Sequence, residues 1–264
     1  MKNKRLAILL IILVFFAVVI VLSSAVFSLA TVEINFLSTT YNLTNNQAII
    51  DSGKFNFGEN VFFSTKKDYI KNLEKNNPYL RVLNIETIFP NKLVINAVER
   101  QETYVFKLDN NKYAKTDEFL KILSITNVYQ NNTENGIEIL NSEVTTQTNL
   151  AEGDFLVATD TFLTEMFTCF REWDTSYVAL KSKIQSVELD YDGYKDRLLV
   201  NMRSGVQIIV RSAKSNLSDK LNLAFSFYDC KTNADGQPVD YTKSGIIEVF
   251  ESETEIYASY RQVD

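Results

Sequence analysis

Carboxylates are the most abundant side chains in this sequence that could do chemistry. There are 33 acidic residues, among them Asp190, Asp192 and Asp196 in "DYDGYKD" and the pair Glu99-Arg100 that ends "KLVINAVER". A calcium loop needs oxygen ligands at alternate positions and a bidentate carboxylate at the twelfth. "DYDGYKD" has neither the full run nor the closing carboxylate, so a hairpin turn between two strands is expected there. Paired carboxylates for glycosidase-type acid/base work occur throughout so acidic a chain, and none is singled out. The chain contains no histidine, which removes Ser-His-Asp and Cys-His catalysis, the HExxH zinc motif and imidazole as a general base. It also lacks a GxSxG nucleophile elbow. Cys169 and Cys230 show no CxxC spacing, which excludes a zinc knuckle or a redox motif. They are either one disulfide of an exported domain or two inert core thiols. The expectation is a non-enzyme with no catalytic residue, no metal site, no cofactor and no small-molecule substrate.

The chain has 264 residues, 45% hydrophobic and 23% charged, enough for one large domain or two small ones. A net charge of −6 and a pI near 5.0 argue against a nucleic-acid partner. From Leu6 to Ala30 no charge interrupts the sequence, and 18 of those residues are Leu, Ile, Val or Phe. At 1.5 Å per residue, about 25 helical residues reach about 37 Å, more than a ~30 Å hydrocarbon core. Lys2, Lys4 and Arg5 precede the run and Glu33 is the first charge after it, so the positive-inside rule keeps residues 1–5 in the cytoplasm. Residues 6–30 are expected to be a transmembrane helix, and everything from Thr31 onward to be extracytoplasmic. A cleavable signal peptide ending at Ser28-Leu29-Ala30 is the rival. Without the three leading basic residues the exported part carries −9.

The exported part divides by pattern into residues 31–104 and 105–264. In the first module "TVEINFL" alternates with Val32, Ile34 and Phe36 on one face. A short helix follows, with Thr44 and Gln47 in capping-box spacing and Gly53 as its end. A second helix begins at Thr65 and Asp68, with Tyr69, Ile70 and Leu73 as its apolar stripe and Lys66, Lys67, Lys71 and Lys75 as a solvated face. Strand "YLRVLNIETIF", a turn at Pro90-Asn91 and strand "KLVINAV" complete a β-α-α-β-β order. Leu83, Ile85 and Phe89 are expected on one face of the first of these strands, and Leu93, Ile95 and Ala97 on one face of the second. In the second module "DTFLTEMFTCFREW" sets Leu163, Met166, Phe167, Phe170 and Trp173 along one side of a helix. Strands are read in "IQSVELDY", "DRLLVNM" and "GVQIIVR". A helix capped by Asn216 carries Leu217, Leu221, Ala224, Phe225 and Tyr228 inward. "GIIEVFESETEIYASY" supplies the last strands.

The β-α-α-β-β order is that of a POTRA domain. "NPYLRVLNIETIFPNKLVINAVER" resembles the POTRA module of the bacterial FtsQ/DivIB cell-division family on Pro90, Leu93, Ile95, Val98, Glu99 and Arg100. The family's proline shortly after Glu-Arg is replaced here by Gln101 and Glu102. "YVFKLDNNKYAKTDEFLKIL" resembles the family's link into its second domain, with Asp117-Glu118-Phe119 where an Asp-x-x-Gly is usual. Gly205, Val206, Ile208, Val210, Lys220, Leu221 and Gly245-Ile246-Ile247-Glu248 resemble its β-domain. The resemblance implies an α+β fold: a single N-terminal transmembrane helix, a small POTRA-like domain, and a mixed β-sheet domain with helices on one face. It implies a non-enzymatic divisome scaffold in the cell membrane, single-pass type II and enriched at the septum. Such a scaffold binds extracytoplasmic segments of FtsB/DivIC-like and FtsL-like bitopic division proteins and supports septal peptidoglycan synthesis.

Binding is expected along a C-terminal edge strand within about residues 248–260, through Phe250, Ile256, Tyr257 and Tyr260. The alternative for these side chains is that they complete the domain's own core. Pro90 is expected to set the turn between the last two strands of the first module. Glu99 and Arg100 are expected where that module hands over to the next, as a partly exposed inter-domain ion pair or cap worth about 0.2–1 kcal/mol. The alternative function is an anchored or secreted envelope ectodomain that binds cell-wall glycan or a small ligand. An envelope hydrolase is a third reading.

Overall fold

A computed structural model describes residues 12–15, 26–62, 64–108, 111–129, 136–142, 147, 149–158, 160–176, 180–192, 195–230, 245–253 and 255–263. Most of the expected span over residues 6–30 lies outside the described residues; residues 12–15 within it are helical. Among the described residues no helix is long and apolar enough to cross a membrane. The chain divides into two compact units, Met1–Arg100 and Gln101–Asp264.

In the first unit, β1 (Thr31–Phe36), α1 (Asn46–Ser52), α2 (Lys66–Asn76), β2 (Leu80–Ile88) and β3 (Lys92–Glu99) follow the expected order. The sheet runs β1-β3-β2, with β1 parallel to β3 and β2 antiparallel to it. Helix α1 begins one residue later than expected: Asn45, not Thr44, is its cap, and its side chain accepts from Ala48 N at 3.0 Å. At α2, Thr65 holds the cap position but makes no side-chain cap bond. Tyr69 and Leu73 are buried, and Tyr69 packs on Phe55 with ring centroids 4.5 Å apart. Leu93, Ile95 and Ala97 are fully buried, as a period of two requires.

On β2 the expected face is wrong. The register slips between Val82 and Asn84, so Leu83 is an extra residue opposite β3. A bulge of this kind reverses which side chains face in. Leu80, Val82 and Ile85 are buried, whereas Leu83 and Phe89 are exposed. Pro90 does stand in the turn joining β2 and β3, and the Phe89-Pro90 peptide is cis.

In the second unit, Tyr104 opens the first strand. The segment expected as a link is three strands, β4 (Tyr104–Lys107), β5 (Tyr113–Thr116) and β6 (Ile122–Thr126). The rest comprises β7 (Ile137–Leu140), α3 (Thr161–Ser176), α4 (Leu180–Lys183), β8 (Ile184–Asp192), β9 (Lys195–Met202), β10 (Val206–Arg211), α5 (Leu217–Cys230), β11 (Gly245–Glu251) and β12 (Ile256–Gln262). The twelve strands among the described residues thus divide between a three-stranded sheet and a nine-stranded one ordered β12-β11-β10-β9-β8-β7-β4-β5-β6. Parallel pairs β10/β11, β7/β4 and β7/β8 sit among antiparallel ones, so the sheet is mixed.

One hydrophobic cluster joins this sheet to the helices. Leu163, Met166, Phe167, Phe170 and Trp173 of α3 are all buried, as the 3.6-residue period predicted. Phe167 packs on Tyr104 of β4 with centroids 5.1 Å apart, and Trp173 meets Phe225 of α5 at 3.8 Å. The buried Trp173 indole N–H is satisfied by Asn222 Oδ1 at 2.9 Å. At Gly136 a Cβ would stand 2.7 Å from the Thr103 carbonyl oxygen, and φ is +97°, so this close approach beside β4 requires glycine. The mixed α+β architecture with a large sheet is therefore present. Cys169 is a free, buried thiol on α3, which sets aside the disulfide; the Cys230 side chain lies outside the described residues.

Candidate functional site

The sheet ends at β12, which pairs antiparallel with β11 on one side and has no described strand on the other. The register, ambiguous in the sequence, sets Phe250 opposite Tyr257 and Ile247 opposite Tyr260. Phe250 therefore belongs to β11, one strand in from the edge. Alternation then splits the four expected binding residues into two pairs. Ile256, Ala258 and Tyr260 are half-buried and pack against the unit's own core. Tyr260 lies across Gly245, where a Cβ would stand 2.4 Å from its ring. Tyr257 and Phe250 face the other way, 42% and 39% exposed, with rings stacked at 5.7 Å and 25° between planes. Core completion thus accounts for Ile256 and Tyr260 but not for Phe250 and Tyr257. Ser259 and Arg261 continue the exposed row.

The tip of this hairpin is pinned by a charged cluster that the sequence pattern did not single out. Lys220 on α5 has no exposed surface. Its Nζ donates to Ser212 O at 2.8 Å and to Arg211 O at 3.2 Å, both at the end of β10, and pairs with Glu251 Oε2 of β11 at 2.9 Å. An ammonium can be buried only when its three donors are used, and these three partners use them. Glu251 also accepts from Ser215 Oγ and Asn216 Nδ2. The Lys220 bond, then those from Asn216 and Ser215, hold its carboxyl below the usual range. Asn216 is not the conventional cap expected for α5: its φ is +50° and its side chain reaches Glu251. The signal for this cluster was Lys220 itself, three residues after Leu217 and four before Ala224, within a buried stripe. On the next strand, Glu248 of β11 pairs with Arg211 of β10.

Two open hollows flank the edge. One, of about 510 Å³, lies at the hairpin's tip and is lined by Asn216, Asp219, Glu251, Ser252, Glu253, Glu255 and Ile256. The other, of about 410 Å³, lies at the opposite end of the strands among Gln185, Ser186, Asn201, Gln207, Gly245 and Ile246. "DYDGYKD" forms the β8–β9 hairpin, with Asp192 opposite Lys195; residues 193 and 194 lie outside the described ones. Asp190 is engaged by the Arg197 guanidinium. Among the described residues no group of three or more Asp, Glu or Cys could hold a metal ion.

Glu99 and Arg100 are not a partly exposed inter-domain pair. Both are buried, and the partners described for each belong to the first unit. Glu99 accepts from the backbone N–H groups of Tyr41 and Asn42 and from Asn42 Nδ2, fastening the loop before α1 to the end of β3. Arg100 Nη2 meets Glu74 Oε2 of α2 at 2.9 Å, and its Nε donates to Leu80 O at 3.1 Å. The second Glu74 oxygen accepts from Val82 N at 2.8 Å, so one carboxylate ties α2 to both outer ends of the hairpin.

Two kinds of comparison with known proteins find similarity. The family model described as "POTRA domain, FtsQ-type" matches residues 27–100, which coincide with the folded part of the first unit. The chain is 32% identical over 109 residues to a cell division protein DivIB of Clostridium botulinum strain Hall, covering 41% of each. It is 32% identical over 108 residues to DivIB of strain Loch Maree, covering 41% of this chain and 40% of the relative. The chain thus spans about two-fifths of the length of the curated relatives it matches. The first unit thus carries a POTRA domain of FtsQ type, and over about two-fifths of its length the chain is similar to DivIB cell division proteins.

Proposed function

We propose that the protein is a non-enzymatic, membrane-anchored division protein whose second unit captures the extracytoplasmic segments of FtsB/DivIC-like and FtsL-like bitopic partners. The apolar run that begins at Leu6 crosses the membrane once with the N-terminus in the cytoplasm, and both folded units stand outside. The protein concentrates at the septum and supports peptidoglycan synthesis there.

The observation that carries this reading is β12. It is the terminal strand of the sheet among the described residues, and Phe250 and Tyr257 stack exposed beside its outer rim. An edge strand offers a row of N–H and C=O groups on which another chain can add a strand. The stacked rings give that added strand an apolar side-chain contact on one face, which is what makes such an edge selective.

Co-purification with FtsB/DivIC-like partners from cells carrying Tyr257→Glu or Phe250→Glu tests the edge. Loss of the partner with a normal circular dichroism spectrum is expected, and undiminished recovery from both variants refutes it. A fluorescent tag on the N-terminus should give bands at midcell; a uniform peripheral signal through the cell cycle would refute septal enrichment. The glycan or small-ligand alternative calls for a deep pocket with aromatic platforms, and the two described hollows beside the edge are open and have no aromatic side chain in their lining.

A further inference from the structure

Residues 27–30 enter the first unit as a segment stitched to it by backbone hydrogen bonds. Val61 N donates to Phe27 O at 2.9 Å, Leu29 N to Glu59 O at 2.8 Å, Gly58 N to Leu29 O at 2.9 Å, and Ala30 N to Asn91 O at 2.9 Å. Residues 27–30 are thereby clamped between the 58–61 segment and the β2–β3 turn. Leu29 is buried in the unit's core. Yet these same residues are the last four of the apolar run that begins at Leu6.

Around that entry stand aromatic rings facing solvent. Phe27 meets Phe62 edge-on at 5.2 Å and Phe89 at 6.2 Å, and Phe62 meets Phe89 at 5.2 Å, closing a triangle of three rings. Phe62 and Phe89 are 60% and 59% exposed, and Ile88 beside them is 46% exposed. Single exposed apolar residues need no explanation, but a contiguous patch marks an interaction surface.

We propose that the Phe27–Phe62–Phe89 triangle is a membrane seat, sunk into the bilayer interface and fixing the first unit against the lipid surface. This rests on the reading that the apolar run from Leu6 spans the membrane. About 20 helical residues suffice to cross a bilayer, so a run of that length from Leu6 brings Phe27 to headgroup level. Phe62 and Phe89 are bound to Phe27 and go with it. Amphipathic surfaces bearing Phe and Leu settle at this depth, with their apolar side at the acyl boundary. The length and end point of the apolar run choose lipid as the occupant of the patch.

The test uses the full chain in liposomes containing lipids brominated just below the headgroup, which quench tryptophan on contact. Phe62→Trp and Phe89→Trp place one new reporter each, and the native Trp173, buried in the second unit, serves as the unquenched reference. Tyr41→Trp is the control at the far end of the unit. Its backbone N–H bonds Glu99, seven residues along β3 from Lys92 and so about 23 Å away. Phe15→Trp, read in a second set of liposomes with lipids brominated near the chain ends, reports on the span itself, since about nine helical residues from Leu6 carry it about 14 Å in, to mid-bilayer. Bromination is expected to cut the added emission at positions 62 and 89 at least about two-fold and to leave position 41 unchanged. Unquenched tryptophan at both 62 and 89 with a quenched Phe15→Trp would overturn the seat and leave the span standing. No quenching at any of the four positions would overturn both, and equal quenching at position 41 would overturn the seat.

Discussion

Arg100→Ala measures how far the Arg100 cluster holds the first unit together. The side chain is 6% exposed and Glu74, its partner, 18%. Removing one member of a buried pair costs about 3–5 kcal/mol, because the other charge is left without compensation. Glu74 is not fully sealed and keeps the Val82 N–H, which draws the cost toward the lower end. The Leu80 carbonyl loses its donor as well, a further ~1–3 kcal/mol if water cannot reach it. These two contributions share one site and are not additive, so about 3 kcal/mol is the expected loss.

The assay exploits the position of the only tryptophan. Trp173 sits in the core of the second unit, so its fluorescence follows that unit alone, whereas far-ultraviolet circular dichroism follows both. With a urea slope of ~1–3 kcal/mol/M, Arg100→Ala should lower the midpoint of the first unit's transition by about 1–3 M. The Trp173 transition should stay where it is. A loss under ~1 kcal/mol would show that the cluster is solvated and the burial argument wrong. An equal shift in the Trp173 transition would show that the residue serves the second unit.

Three further outcomes are expected. Glu251 has a depressed folded-state pKa, held by Lys220 first, so its contribution is complete above the ordinary glutamate value of ~4.3 and disappears as pH falls through the folded value. The Trp173 unfolding midpoint should drop over that acid range, and Glu251→Gln should flatten the drop; an unchanged slope refutes the assignment. Cys169, buried on α3 with its thiol pKa raised by burial, should resist Ellman's reagent in a Cys230→Ser background until the unit is unfolded. On β2, Leu83→Thr should stay within about 0.5 kcal/mol of the parent and Ile85→Ala should cost about 2–5 kcal/mol in the same urea assay. Similar costs at both positions would contradict the bulge.

The sequence revealed what repeats regularly. Leu93, Ile95 and Ala97 could be read from alternation because β3 pairs on both sides without interruption, and the α3 stripe could be read because five large apolar residues hold one helical period. Leu83 was misread because a bulge adds a residue that no period of two registers. Strands β4 to β6 have four, four and five residues and too little alternation to stand out from a connecting segment. At the β5–β6 turn, Asp117 Oδ1 accepts from Phe119 N and Lys121 N, and Leu120 takes φ +63° where the family pattern has glycine. The turn survives because the Asp117 bonds and the burial of Leu120 hold a conformation that an L residue seldom adopts. At the terminal edge of the large sheet, the residue types were legible and the faces they occupy were not. Only the register shows that Phe250 and Tyr257 face outward while Ile256 and Tyr260 face the core.

The strand order of the large sheet has a consequence for reach. The chain enters the second unit on β4 and exposes its last strand six positions away. At about 4.8 Å per spacing, that is a lateral offset of about 29 Å. A strand added beside β12 would therefore lie about three nanometres across the sheet from the strand by which the chain enters this unit, so the rim and the entry are separate surfaces that one small partner segment does not cover together.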